Sequence, residues 1–109
     1  MEFQTKKFTA SDAVFGSNVF TFTFQDLGYD VRRFGHPHIH CTGLGSGGTY
    51  KVEFSPAGSE GNYVTVQSGL TVADSVTITT VYVSKFQVTI TPGSGSDPVL
   101  YIQSTERGF

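Results

Sequence analysis

From Phe20 to Phe24 the chain alternates without a break, three phenylalanines enclosing Thr21 and Thr23. Successive side chains of an extended backbone point to opposite sides, so this beat predicts a strand with a buried aromatic face and a polar one. The same period returns at Tyr50, Val52 and Phe54 around Lys51 and Glu53, at Val76–Thr79, and at Phe86, Val88 and Ile90. Val14 to Val19 leads into the first of these, with Gly16 marking a bulge or turn. Short strands are expected at Tyr63–Gln67 and Val99–Gln103, and His36–Cys41 is expected to be extended because Pro37 bars the residue before it from helix. Breakers separate these runs: Gly43–Gly48 as a flexible turn, Ser55–Asn62, Ser68-Gly69, and Pro92–Pro98. Only Gln25–Phe34 has a helical look, and Gly28 interrupts it, so it reads as a loop or a single turn.

The pattern amounts to seven or eight short strands with turn signals between them and no alternation of strand and helix. It predicts an all-β fold, a single antiparallel β-sandwich or jelly roll occupying residues 1–109. Residues 1–12 read as an N-terminal arm or edge strand, and residues 104–109 as a loose C-terminal tail. Val-Thr-Ile-Thr stands at 76–79 and again at 88–91, a spacing that suits successive strands; two beats are too few for a solenoid.

Composition supports this fold and narrows the function. Thr and Val far outnumber Ala and Leu, which favours pleated sheet over helix. A net charge of −2 argues against a nucleic-acid binder that works by neutralising phosphates. No run approaches the ~18 apolar residues that span a bilayer, so no membrane partner is expected. Met1–Lys7 lacks the apolar block of a secretory signal. Cys41 stands alone, which excludes an intrachain disulfide and points to synthesis in a reducing compartment.

Candidate chemistry is sparse. Gly43-Leu44-Gly45-Ser46-Gly47-Gly48 matches the spacing of a dinucleotide-binding loop, but that loop needs a helix N-terminus after it to receive the pyrophosphate. Thr49–Ser55 reads as strand, so the match is spurious. Neither a nucleophile elbow nor a phosphate-binding Gly-Lys-Ser/Thr is present. Asp12, Asp26, Asp30, Asp74 and Asp97 stand where turns want a side chain that bonds its own backbone. Lys6-Lys7 and Arg32-Arg33 read as solvated surface beside Glu2, Asp26 and Asp30. No catalytic residue and no cofactor are nominated, and the protein is expected not to be an enzyme.

The concentrated feature is His36-Pro37-His38-Ile39-His40-Cys41, which holds all three histidines of the chain. In an extended segment His36, His38 and His40 share one face, opposite Ile39 and Cys41. Neutral imidazole is a common ligand for transition metals, but three neighbours in a row converge on one ion only with difficulty. Around a threefold axis, His38 and His40 from each of three chains would supply six nitrogens, an octahedral set suited to iron or nickel. This His-x-His pattern resembles the metal-bearing tips of trimeric phage tail spikes. The bland alternative is a strand with exposed polar rings, and a cupin-like metalloenzyme is a third.

The run Tyr63-Val64-Thr65-Val66, Gly69 through Ile78, Val83 through Ile90 and Val99-Leu100-Tyr101-Ile102 resembles the small all-β virion proteins of tailed bacteriophages, including capsid decoration (cement) proteins and head–tail or tail accessories. The resemblance implies a non-enzymatic structural protein, made in the host cytoplasm and residing in the virion. Its partners would be copies of itself, as a homo-oligomer with a trimer among the options, and other virion proteins such as the major capsid protein. The aromatic excess fits this, because interface centres are rich in aromatic side chains. A carbohydrate-binding or adhesive sandwich with an exposed aromatic platform is the other reading of the same composition.

Overall fold

A computed structural model describes residues 3–24, 34–56, 62–79 and 83–106. Among them the strands in chain order are β1 (Phe3–Thr9), β2 (Val14–Gly16), β3 (Val19–Phe24), β4 (Phe34–Thr42), β5 (Thr49–Pro56), β6 (Val64–Leu70), β7 (Ser75–Thr77), β8 (Val83–Thr91) and β9 (Val99–Glu106), with one 3-10 turn at Ala10–Asp12. Two antiparallel sheets result, a four-stranded one in the order β1-β9-β4-β7 and a five-stranded one in the order β2-β3-β8-β5-β6. No helix among the described residues is long and apolar enough to cross a membrane.

The all-β sandwich is the expected fold, and its strand order sharpens it to a jelly roll. The antiparallel pairs β1–β9, β3–β8, β4–β7 and β5–β6 nest inside one another along the chain, first with last and so inward. They also fall alternately in the two sheets. One long hairpin closed at β5–β6 and rolled on itself gives that arrangement.

The two inward faces meet in a single core. Phe22, Phe24, Tyr50, Val52, Phe86, Val88 and Ile90 come from the five-stranded sheet, and Phe8, Ile39, Cys41, Leu100 and Ile102 from the other. The alternation at 20–24 sends Phe22 and Phe24 fully inside. Phe24 joins the sheets, its ring 4.9 Å from Phe8 edge-on and 4.7 Å from Phe86 in a stack. Phe22 and Phe24 are therefore core, while the half-buried Phe20 packs against its margin.

Several local expectations change. Val14 to Val19 is a separate hairpin, in which Gly16 faces Val19 across Ser17 and Asn18 at φ 51° and 61°. Positive φ at both central residues is the signature of a tight turn whose twist matches that of the strands. Ser68-Gly69 is no turn: both residues lie inside β6, where Gly69 at φ +67° accommodates an extra residue opposite Tyr50–Val52. β1 is an edge strand of its sheet, as β7 is on the other side. β9 continues to Glu106 with Ser104 buried, because β1 and β4 pair with it as far as Thr105 and Glu106, so the expected loose tail from 104 is strand for its first three residues. The readings of residues 25–33, 57–61 and 107–109, Arg32-Arg33 among them, lie outside the described residues.

Sheet edges invite uncontrolled pairing, and this fold blunts all four of its own. β2 and β7 are only three residues long. β1 carries Lys6 and Lys7, with Lys6 in register with the inward Ile102. β6 is broken by two register shifts against β5. Apolar side-chain surface stays uncovered on β2, where Val14 is 75% and Phe15 57% exposed, and to a lesser extent at Val64 on β6 and at Val72. Phe15 lies 4.6 Å from the half-buried Phe20, on a strand that the wider sheet adds beyond the nested pairs.

Tyr50 ties the core to the β6–β7 turn by donating its hydroxyl to the Asp74 carbonyl at 2.8 Å. Burial pushes its phenol up to about 12, with the neighbouring Cys41 and Asp74 adding to the rise. Burial likewise pushes the Cys41 thiol up to about 12. Both groups are neutral in the fold and ionise more readily in the unfolded chain. The stability they contribute is therefore complete below their ordinary values of 9.0 and 10.0 and is lost as pH rises toward 12. Urea midpoints measured from pH 8 to 12 should fall steadily above pH 9, and less steeply in Tyr50→Phe. A flat profile for the parent protein over that range would refute the assignment.

Candidate functional site

Function is sought outside the sandwich, because among the described residues the interior is packed with apolar side chains, Ser55 and Ser104 being the buried polar ones. β4 shows why the histidines face out. Pro37, Ile39 and Cys41 alternate inward and are buried, while His36, His38 and His40 turn to solvent. A cupin-like site, which would need these rings inside, is therefore not built by this strand. His36 is also set apart from the other two. Its φ is 49°, and the register against β9 slips between Gly35 and His38. The slip falls at Pro37, which has no N–H to give to the ladder, and an unpaired extra residue is tolerated there.

Beyond the bulge β4 is held on both sides. His38 faces Thr77 of β7 and Gln103 of β9, and His40 faces Ser75 and Tyr101. One strand further out, Gln103 and Tyr101 face Thr5 and Lys7 of β1. Two polar rows thus cross the outer face of the four-stranded sheet. His38 Nδ1 is hydrogen-bonded to Thr77 Oγ1 at 2.7 Å, and the His40 and Tyr101 rings stack at 6.2 Å. A shallow hollow of about 220 Å³ opens between His38, His40, Ala73, Asp74, Ser75 and Gln103.

Asp74 borders this hollow but serves the fold. Its Oδ2 accepts the Thr71 backbone N–H at 2.8 Å and the Thr71 hydroxyl at 3.1 Å. Asp12 acts in the same way on the Thr9 N–H at 2.8 Å, so both carboxylates do in turns what their residue type suggested. Among the described residues no three His, Cys, Asp or Glu side chains come close enough to hold an ion. Of the expected trio, His38 and His40 share a hollow and His36 lies apart. Thr77, Tyr101 and Gln103 were not nominated from the sequence, since cross-strand register decides their place.

The outer face of the other sheet carries polar contacts of its own. Glu53 takes an ion pair from Lys51 at 3.5 Å and a hydrogen bond from the Gln87 amide at 3.1 Å. The glycine-rich loop is structural as well. It carries the chain from β4 in one sheet to β5 in the other, and β5 follows it where a nucleotide site would need a helix. The β8–β9 loop lies against it, with Asp97 N–H donating to the Gly43 carbonyl at 2.8 Å and Gly45 N–H to Ser96 Oγ at 2.6 Å.

No family model matches the chain, and neither a curated protein nor a solved structure is significantly similar to it. Fold and surface chemistry define a small jelly-roll domain with a closed interior, a polar outer face and an exposed apolar hairpin.

Proposed function

We propose that the chain is a non-enzymatic structural protein of a bacteriophage virion, in first place a capsid decoration protein. It would assemble with copies of itself and with other virion proteins such as the major capsid protein. The observation that carries this reading is the exposed Val14–Phe15 hairpin on a domain whose interior is closed. Jelly rolls occur in viral capsid domains, though also in lectins and cupins, so topology supports the reading by analogy only.

Assembly through this hairpin predicts that native mass spectrometry finds a closed oligomer. Phe15→Asp would shift it toward monomer and weaken retention on purified phage shells, while circular dichroism stays unchanged because Phe15 lies outside the buried core. A parent protein that remains monomeric at high concentration and does not bind shells would overturn the proposal. A neck, tail or spike component is the second reading, favoured by the outward pairing of His38 and His40, which a threefold axis would bring together from three chains. Tyr101 beside His40 is the corresponding feature for glycan binding, which a glycan-array screen would detect.

A further inference from the structure

We infer that His38 and His40 of a single chain chelate one divalent first-row transition ion at the hollow on the four-stranded sheet. This goes beyond assembly and needs no symmetry partner. Residues i and i+2 of a strand lie roughly 6.5–7 Å apart on one face. A metal–imidazole bond is about 2.0–2.1 Å, so the two rings bridge that gap with one ion between them when His40 turns from Tyr101 toward His38. β4 is internal to its sheet, paired to β7 at His38–His40 and to β9 over the same residues, so the backbone spacing of the two rings is fixed before any ion arrives.

The Thr77 contact supplies what a lone surface histidine lacks. When His38 Nδ1–H donates to Thr77 Oγ1, the lone pair is left on Nε2. Fixing the tautomer through the second nitrogen is how ligating histidines are usually oriented. The hollow is open, so water completes the coordination shell, with the Gln103 amide and the free Asp74 oxygen at its rim. Two imidazoles with no carboxylate committed to the ion select copper, nickel and zinc over calcium and magnesium, and copper binds most tightly. His36, beyond the bulge, takes no part.

The test is calorimetric titration of the purified protein with copper(II), nickel(II), zinc(II) and magnesium chlorides, paired with native mass spectrometry for ions per chain. One ion per chain is expected for the first three and none for magnesium. His38→Ala and His40→Ala should each weaken binding tenfold or more, Thr77→Val by about tenfold, and His36→Ala should leave it unchanged. All four positions are solvent-facing or half-buried, so unchanged melting temperatures show that the variants are folded. Parent affinity retained in the His38 or His40 variant, or an equal loss in the His36 variant, would overturn the assignment. One ion per three chains would replace it with the symmetric site. The oligomer measured without metal reports separately on the assembly proposal, so either can fail alone.

Discussion

Replacing Phe24 with alanine is expected to cost about 3–5 kcal/mol, the range for deleting a fully buried aromatic ring. Phe24 has no exposed surface and touches the core in three directions: Phe8 across the sandwich, Phe86 on the neighbouring strand, and Phe22 at 6.4 Å along its own. Phe8 belongs to the first strand and Phe86 to the eighth, so the ring that joins them also holds the outer pairs of the rolled hairpin together. A cavity there cannot close without moving one sheet toward the other. A domain of this size has roughly 5–15 kcal/mol in total, so the variant should lose at least about a fifth of the parent's stability in urea, and all of it at the low end of that range. Phe15→Ala, which removes the same side chain from the exposed hairpin, should lose only the pairing of its ring with Phe20, about 0.5–1.5 kcal/mol. Equal losses in the two variants would mean that the sandwich is not centred on Phe24.

The same ring shows how far the fold could be read from the chain. Period-two alternation at 20–24, 50–54 and 86–90 marks strands buried on one side, and these became β3, β5 and β8, three adjacent strands of the wider sheet. Alternation says which face is inside, since a slip of one residue would turn Phe22 and Phe24 to water. It does not say which strand lies beside which. The nesting of β1 with β9 and of β4 with β7 depends on contacts between the two ends of the chain, and no local pattern records them. Errors fell where backbone geometry overrides side-chain pattern: Ser17-Asn18 turns a hairpin without a glycine, and Gly69 serves a bulge inside a strand. Gly16 and Gly69 both look like punctuation, and only strand pairing separates a strand end from a strand interior.

The site was legible in part for the same reason. Three histidines at alternate positions announce a shared face, and all three are turned to solvent. Pro37 in their midst restricts the residue before it, but its missing N–H also weakens the ladder to β9, and the bulge there divides His36 from His38 and His40. Thr77 and Tyr101 complete the surroundings from strands far along the chain, so composition gave no hint of them. Thr77 belongs to one of the two Val-Thr-Ile-Thr repeats, while its counterpart Thr89 faces Lys51 on the other sheet. Identical tetrapeptides thus meet different neighbours, and local sequence does not separate a histidine's hydrogen-bond partner from a threonine of the sheet face.

The second large effect is expected in the glycine loop, where Gly45→Ala should cost about 3 kcal/mol, the upper part of the range for overpacking. A Cβ at Gly45 would meet the Ser94 carbonyl oxygen at 2.0 Å and its carbon at 2.6 Å, both backbone atoms that no rotamer change can move aside. To make room, the β4–β5 loop must separate from the β8–β9 loop and give up contacts such as Gly45 N–H to Ser96 Oγ and Ser94 N–H to the Ser46 carbonyl at 3.3 Å. Gly93, across the same contact, is as tightly placed, since its Cβ would come within 2.3 Å of the Ser46 oxygen. Gly47 isolates the other cost of a side chain in this loop. Its φ is +79° with open space around it, so Gly47→Ala should lose only the ~1–2 kcal/mol of left-handed strain. Urea denaturation of the three variants should therefore rank Gly45 and Gly93 together, well below Gly47. If all three fell equally, the glycines would be there for turn geometry alone. The expected ranking instead makes them the spacing at which one loop lies directly on another, which is why six residues with the look of a nucleotide loop have no room to receive a nucleotide.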